Sequence, residues 1–331
     1  MTTNNTQSSI KIIGTSTTSN YRKVLESLDE IDKSISSFLF RLSLPPIVEA
    51  IYSVPANFFG LVPSLAIFPL WLAVLALEDG VAAEGKTSLW QQHSKIILLK
   101  SITVLLTIVF LVAWGLFQKG HKVALTKFLA KRHYYLVAIL FNVALLSHTV
   151  LKIPSDDPYA ASSKKAFSLS IYLLFLWPPA LLIILILKHS FRRVRPVVVD
   201  TTRSCDRNLW LSRKAFPGIS NLLATCQATE SFPSGDATSA AIFAIALTNI
   251  TPRYNMAAWT ILILVCTGRI YVLAHHFLDV VAGSIIAQII FRISSYAGLG
   301  IDDMEWWYPL ASTMFLAVYV LTQMKNRTKL V

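Results

Sequence analysis

Charge is scarce in this chain: Asp, Glu, Lys and Arg make up 15% of its 331 residues, against roughly 25% in an average soluble domain. With 54% hydrophobic residues and a mean hydropathy of +0.56, that shortage argues against a water-soluble globule and for a membrane protein. Acidic residues are the scarcer sign, 18 against 30 Lys and Arg, for a net charge of +12. On so apolar a chain this excess reports basic cytoplasmic loops and anionic headgroups rather than nucleic acid. Cysteine is nearly lacking. Cys205, Cys226 and Cys266 form no CxxC or other metal-ligand spacing, and an odd number makes a poor disulfide framework. The first twenty residues lack a continuous apolar core, so no secretory signal is expected. They also hold almost no arginine, which argues against a transit peptide and for a disordered tail over 1–20.

Apolar residues then recur at helical spacing, at Tyr21, Val24, Leu25, Leu28, Ile31, Ile35, Phe38, Leu39 and Leu42, with Lys23, Glu26, Asp29, Glu30 and Asp32 between them. This predicts an amphipathic helix within 21–50, lying on the membrane surface or packed on the bundle. A spanning helix needs about 20 apolar residues. Eight stretches qualify, at 53–77, 96–117, 134–151, 166–187, 236–252, 255–272, 277–295 and 306–323. The expected fold is therefore an all-α integral membrane protein. Lys119, Lys122, Lys127, Lys131 and Arg132 in one connection, and Lys325, Arg327 and Lys329 at the end, set the cytoplasmic side. The alternate loops carry Glu78, Asp79, Glu84, Asp156, Asp157, Asp302, Asp303 and Glu305, with Trp306, Trp307 and Tyr308 as an aromatic anchor on that far face. Both termini and the connection from Lys188 to Asp236 are thus expected in the cytoplasm.

Three clusters carry chemistry. The first is Lys188-His189-Ser190-Phe191-Arg192-Arg193-Val194-Arg195-Pro196, where Lys188 and Arg195 would share a helix face if the helix ran on; Pro196 disfavours that geometry at Arg195. Taken alone, such a cluster equally reads as cytoplasmic anchoring. The second, Ser231-Phe232-Pro233-Ser234-Gly235-Asp236, opens the next apolar stretch. It reads as an N-cap or as an anion site of free amides at a helix start. The third runs from Gly268-Arg269 to His275-His276-Phe277-Leu278-Asp279. A spacing of four lets Asp279 hold one ring nitrogen of His275 while the other faces substrate. His276 with Asp279, a packing histidine, or a His/Asp/His metal set are the alternatives, the last lacking a further ligand at suitable spacing. Together the clusters supply fixed cations, an anion-binding helix start and an oriented histidine at span ends on one side. That set suits phosphoryl transfer.

Lys188, Arg195-Pro196, Pro233-Ser234-Gly235 and Arg269, His275, Asp279, in that order and spacing, resemble the type 2 phosphatidic acid phosphatase superfamily. The resemblance covers roughly 96–295, implying a six-helix phosphatase core there within about eight transmembrane helices, with 51–95 and 296–331 as additions. It implies hydrolysis of a lipid phosphate monoester or diphosphate without metal or other cofactor. Lys188, Arg195, Ser234, Gly235 and Arg269 would bind phosphate, His275 would be the nucleophile, and Asp279 would orient it. Two positions depart from the family pattern: Gly268 stands for a serine, and Asp236 for the histidine that protonates the leaving oxygen. Asp236 then reads as a substitute general acid, as dispensable for a diphosphate substrate, or as the lesion of a weakened enzyme. A phosphotransferase with another acceptor and a silent lipid-phosphate binder are the competing functions. A transporter would need matching halves, which the sequence lacks.

Overall fold

The computed structural model describes residues 18–42, 67–84, 97–109, 140–146, 160–193, 195–196, 230–250, 252–271, 274–305 and 307–314, with isolated positions between 44 and 56. Every regular element among them is a helix: α1 (Thr18–Arg41), α2 (Phe68–Glu84), α3 (Ile97–Val109), α4 (Ala160–Phe191), α5 (Gly235–Thr248), α6 (Asn255–Tyr271) and α7 (Phe277–Tyr296). Short helical stretches follow at 140–146 and 308–314. The 1–20 tail lies almost wholly outside the described residues, as do the Lys119–Arg132 connection, most of the Lys188–Asp236 connection and the basic C-terminal tail.

Segments Ala161–Phe191 and Phe277–Tyr296 are long and apolar enough to cross a membrane, and they contain the stretches 166–187 and 277–295. Helices α5 and α6 occupy 236–252 and 255–272 with 14 and 17 residues. Helix α5 is shorter than the roughly 17–25 residues of a spanning helix, and α6 stands at the lower end of that range. The stretches 53–77, 96–117, 134–151 and 306–323 are described only in part.

Helix α5 is the hub. From Ala237 to Leu247 every residue is buried, as befits a helix that is apolar all round. It packs between α4, α6 and α7. Small residues bring α5 and α7 together: the Thr238 hydroxyl donates to the Gly283 carbonyl at 2.9 Å, and a Cβ on Gly283 would collide with the Ser234 carbonyl. Close approach of this kind is the common basis of apolar helix association. Helices α2 and α4 meet along another seam, where the Ser170 hydroxyl donates to the Pro69 carbonyl at 2.7 Å.

The alternating chain direction gives this bundle two chemically distinct ends. At one lie the acidic and basic pairs Asp79–Arg253 (3.0 Å) and Glu78–Lys100 (2.7 Å), with the Lys165 ammonium donating to the Ile250 carbonyl at 2.6 Å. The C-terminal end of α4, the start of α5, the end of α6 and the start of α7 gather at the other. Helix α1 packs across α6 and α7 there.

Candidate active site

The end of α4 presents the first cluster. The helix stops at Phe191, and Arg192 takes a left-handed turn (φ 47°) with its amide on the Lys188 carbonyl at 3.0 Å. Lys188 and Arg195 therefore do not share a helix face, since the turn at Arg192 comes four residues ahead of Pro196. The turn redirects the chain instead. Lys188 Nζ donates to the Glu230 carbonyl at 2.9 Å, and the Ser231 amide to the Arg193 carbonyl at 2.7 Å, which joins the first cluster to the second. Arg195 is 7% exposed, and its Nε and Nη1 are buried without a hydrogen-bond partner among the described residues. A buried guanidinium with spare donors is poised to receive an anion.

The second cluster begins α5. Ser234 is the N-cap: its Oγ accepts from the Ala237 amide at 3.2 Å, and its own amide donates to the Asp279 carbonyl at 2.9 Å. Of the two readings of this cluster the N-cap is present, formed by a serine that is fully buried. Gly235 is the first helical residue. Its amide has no acceptor within the helix, and a Cβ there would meet nothing nearer than Ile184 at 4.0 Å. Asp236 follows, and its Oδ2 pairs with Arg269 Nη2 at 2.7 Å.

Between α6 and α7 the chain turns, and His275 sits in that turn rather than inside a helix, because α7 begins only at Phe277. Spacing of four still brings its Nδ1 to 3.8 Å from Asp279 Oδ2. The closer partner is one that no side-chain motif encodes: the Ser231 carbonyl, 2.8 Å from Nδ1. A carbonyl only accepts, so Nδ1 carries the proton and the Nε2 lone pair is free in the neutral ring. Nε2 points to the other side, with Asp236 Oδ2 3.8 Å away. Burial lowers the His275 pKa below its ordinary value; Asp236 and Asp279 oppose the shift, and Arg269 and Arg195 reinforce it. The ring is thereby kept unprotonated at neutral pH.

Asp279 is fully buried and has three partners. Its Oδ2 accepts the His276 amide at 2.8 Å, its Oδ1 accepts Arg193 Nη1 at 2.9 Å, and it faces His275. His276 thus meets Asp279 through its backbone. Two participants were missed by the residue types singled out in the sequence: Arg193, which looked like one more basic residue of the first cluster, and the Ser231 carbonyl.

All eight candidate residues, Lys188, Arg195, Ser234, Gly235, Asp236, Arg269, His275 and Asp279, converge on this end of the bundle. The result is a buried imidazole whose Nε2 lone pair faces Asp236 and the guanidinium groups around it, an arrangement that can attack an electrophile bearing negatively charged oxygens. Among the described residues no group of three or more His, Cys, Asp or Glu side chains is placed to hold a metal ion. Comparison with curated proteins and with solved structures gives no match. Residues 166–299, which contain all three clusters, match the model of the PAP2 superfamily.

Proposed function

We propose that the protein is a membrane-embedded lipid phosphatase that hydrolyses a phosphate monoester or diphosphate through a phosphohistidine at His275 Nε2. The match of residues 166–299 to the PAP2 superfamily model supports phosphatase-type chemistry. The observation that carries the finer reading is the 2.8 Å contact between His275 Nδ1 and the Ser231 carbonyl, since it fixes the tautomer whose other nitrogen is the nucleophile. In the first step the Nε2 lone pair attacks phosphorus in line, the bond to the leaving oxygen breaks, and Arg195, Arg269 and Lys188 balance charge on the nonbridging oxygens. Asp279 stabilises the imidazolium character that develops on the ring. In the second step water attacks phosphorus, the N–P bond breaks and orthophosphate leaves.

Asp236 stands where the family pattern has a proton donor, and a carboxylate paired with a guanidinium at 2.7 Å has no proton to give. This favours a diphosphate, whose leaving group is a stable phosphate anion, over an alkyl monoester. A lipid substrate is supported by an apolar groove of about 470 Å³ between α1, α6 and α7, where Leu39, Ile263, Ile270, Phe277 and Val280 form walls for a hydrocarbon chain; Ile270 and Val280 are the chain neighbours of Arg269 and Asp279. Membrane embedding is supported by exposed Ile285, Ile289 and Ile293, one turn apart on α7. Such a stripe is stable against lipid and not against water. By loop charge, the active site and both termini face the cytoplasm.

The test is phosphate release by the detergent-solubilised protein from phosphatidate, lysophosphatidate, sphingoid phosphate and isoprenyl diphosphates, beside His275→Ala. Turnover that vanishes in the variant, with diphosphates preferred, is the expected result. Orthovanadate binding with no turnover on any of these lipids would replace the enzyme with a silent binder.

A further inference from the structure

Helix α1 lies outside the matched stretch 166–299, yet one of its side chains completes the charge network behind His275. Glu26, Asp29 and Glu30 on α1 are exposed, and Asp32 is fully buried. A carboxylate removed from water needs charged or hydrogen-bonding partners, and Asp32 has both. Its Oδ2 pairs with Arg193 Nη2, and its Oδ1 accepts the Leu278 amide at 2.7 Å. One turn later, the Ser36 hydroxyl oxygen accepts the Phe277 amide at 3.0 Å. Phe277 and Leu278 open α7, where amides have no acceptor inside their own helix. Helix α1 therefore supplies the N-terminal caps of the helix that carries Asp279. It also holds the second arm of the arginine whose first arm grips Asp279 at 2.9 Å.

We infer that Asp32 is a positioning residue of the reaction: through Arg193 and the first turn of α7 it sets the aim of Asp279, and through Asp279 that of His275. This rests on the phosphohistidine reading above. Without the Asp32 charge, Arg193 has a single carboxylate partner and is free to draw Asp279 away from the imidazole. Among the described residues Asp32 pairs with Arg193 and the Leu278 amide and not with the proposed phosphate-binding groups Lys188 and Arg195, so the effect falls on attack and not on anion capture.

The test is Asp32→Asn in the full-length protein, which keeps the shape and the Oδ1 acceptor and removes the charge. Asp29→Asn, on the exposed face of the same helix, is the control. Misaiming a nucleophile by a fraction of an ångström to one ångström costs up to about a hundredfold. We expect kcat to fall by about ten- to a hundredfold, with KM and orthophosphate inhibition within about twofold of wild type. Inhibition by orthovanadate, which mimics the five-coordinate state bonded to Nε2, should weaken in step with kcat. Arg193→Met should give a similar loss, and the double variant no more than either alone, because the two act as one unit. Wild-type kcat in Asp32→Asn would overturn the inference. So would a loss shared equally by kcat, orthophosphate affinity and melting temperature, the mark of a cap without influence on the nucleophile. His275→Ala with wild-type turnover would instead overturn the phosphohistidine reading and this inference with it. An inactive His275→Ala beside an unaffected Asp32→Asn sinks this inference alone.

Discussion

Removing the Asp236 charge should tighten anion binding. Its Oδ2 lies 2.7 Å from Arg269 and 3.8 Å from His275 Nε2, between the cation and the proposed nucleophile. A phosphate dianion entering this zone meets a carboxylate and competes with it for the guanidinium. At an effective dielectric of about 20 and a separation of about 4 Å, two unit charges repel by roughly 4 kcal/mol. The Asp236 side chain is 23% exposed, so solvent and side-chain movement relieve a good part of this. A residue of about 1.4–2.8 kcal/mol corresponds to ten- to a hundredfold in affinity. Asp236→Asn should accordingly bind orthovanadate and orthophosphate about ten- to a hundredfold more tightly near neutral pH. Calorimetric titration of the detergent-solubilised protein measures this without requiring turnover. Unchanged affinity, with turnover of monoesters lost and that of diphosphates kept, would mean that Asp236 carries a proton and serves as the general acid. Weakened affinity would mean that its main role is to hold Arg269. Either result refutes the competition argued here.

Other consequences follow from the same geometry. Because burial lowers the His275 pKa, the nucleophilic neutral ring persists as pH falls through about 6.5, the ordinary imidazole value, and activity is lost only below it; an acid limb in kcat/KM centred above that value would contradict the assignment. Asp279 opposes that depression, so Asp279→Asn should slow turnover by about a thousandfold or more, by analogy with other oriented imidazoles, while moving the residual acid limb further down, as a pH–rate profile would register. Arg195→Lys cannot restore a planar fork of donors and should raise KM and orthophosphate Ki by about tenfold, readable in steady-state kinetics. Gly283→Ala drives a methyl group into the Ser234 carbonyl and should destabilise the α5–α7 seam by about 1–3 kcal/mol, seen as a lower melting temperature in detergent.

The residues that the structure brings together at the candidate site come in three short runs whose chemistry is explicit in the sequence: cations before Pro196, a Pro-Ser-Gly helix start, and His275 four residues ahead of Asp279. Ser234 shows how local such information is, since its capping bond to Ala237 spans three residues. What escaped was long-range or carried by the backbone. The Ser231 carbonyl orients His275 across 44 positions, and any residue type there would present the same acceptor. Arg193 stood among His189, Arg192 and Arg195 with nothing local to separate it from a membrane anchor. Asp32 left one trace, being four residues after Leu28 and seven before Leu39, which puts it at the border of the apolar stripe of α1. Helical periodicity alone reads a residue there as a solvated edge; only the docking of α1 onto α7 makes it buried. The end of α4 was also beyond local pattern, for Pro196 signals a stop that occurs earlier, at the left-handed turn of Arg192.

Trapping the intermediate decides whether His275 carries the phosphoryl group. Brief incubation of the detergent-solubilised protein with a substrate radiolabelled in its terminal phosphate, followed by denaturing quench and peptide mapping, should yield an acid-labile, alkali-stable phosphoryl group on His275, absent from His275→Ala. Turnover that leaves no label on His275, or label of equal yield in the variant, would contradict the phosphohistidine reading.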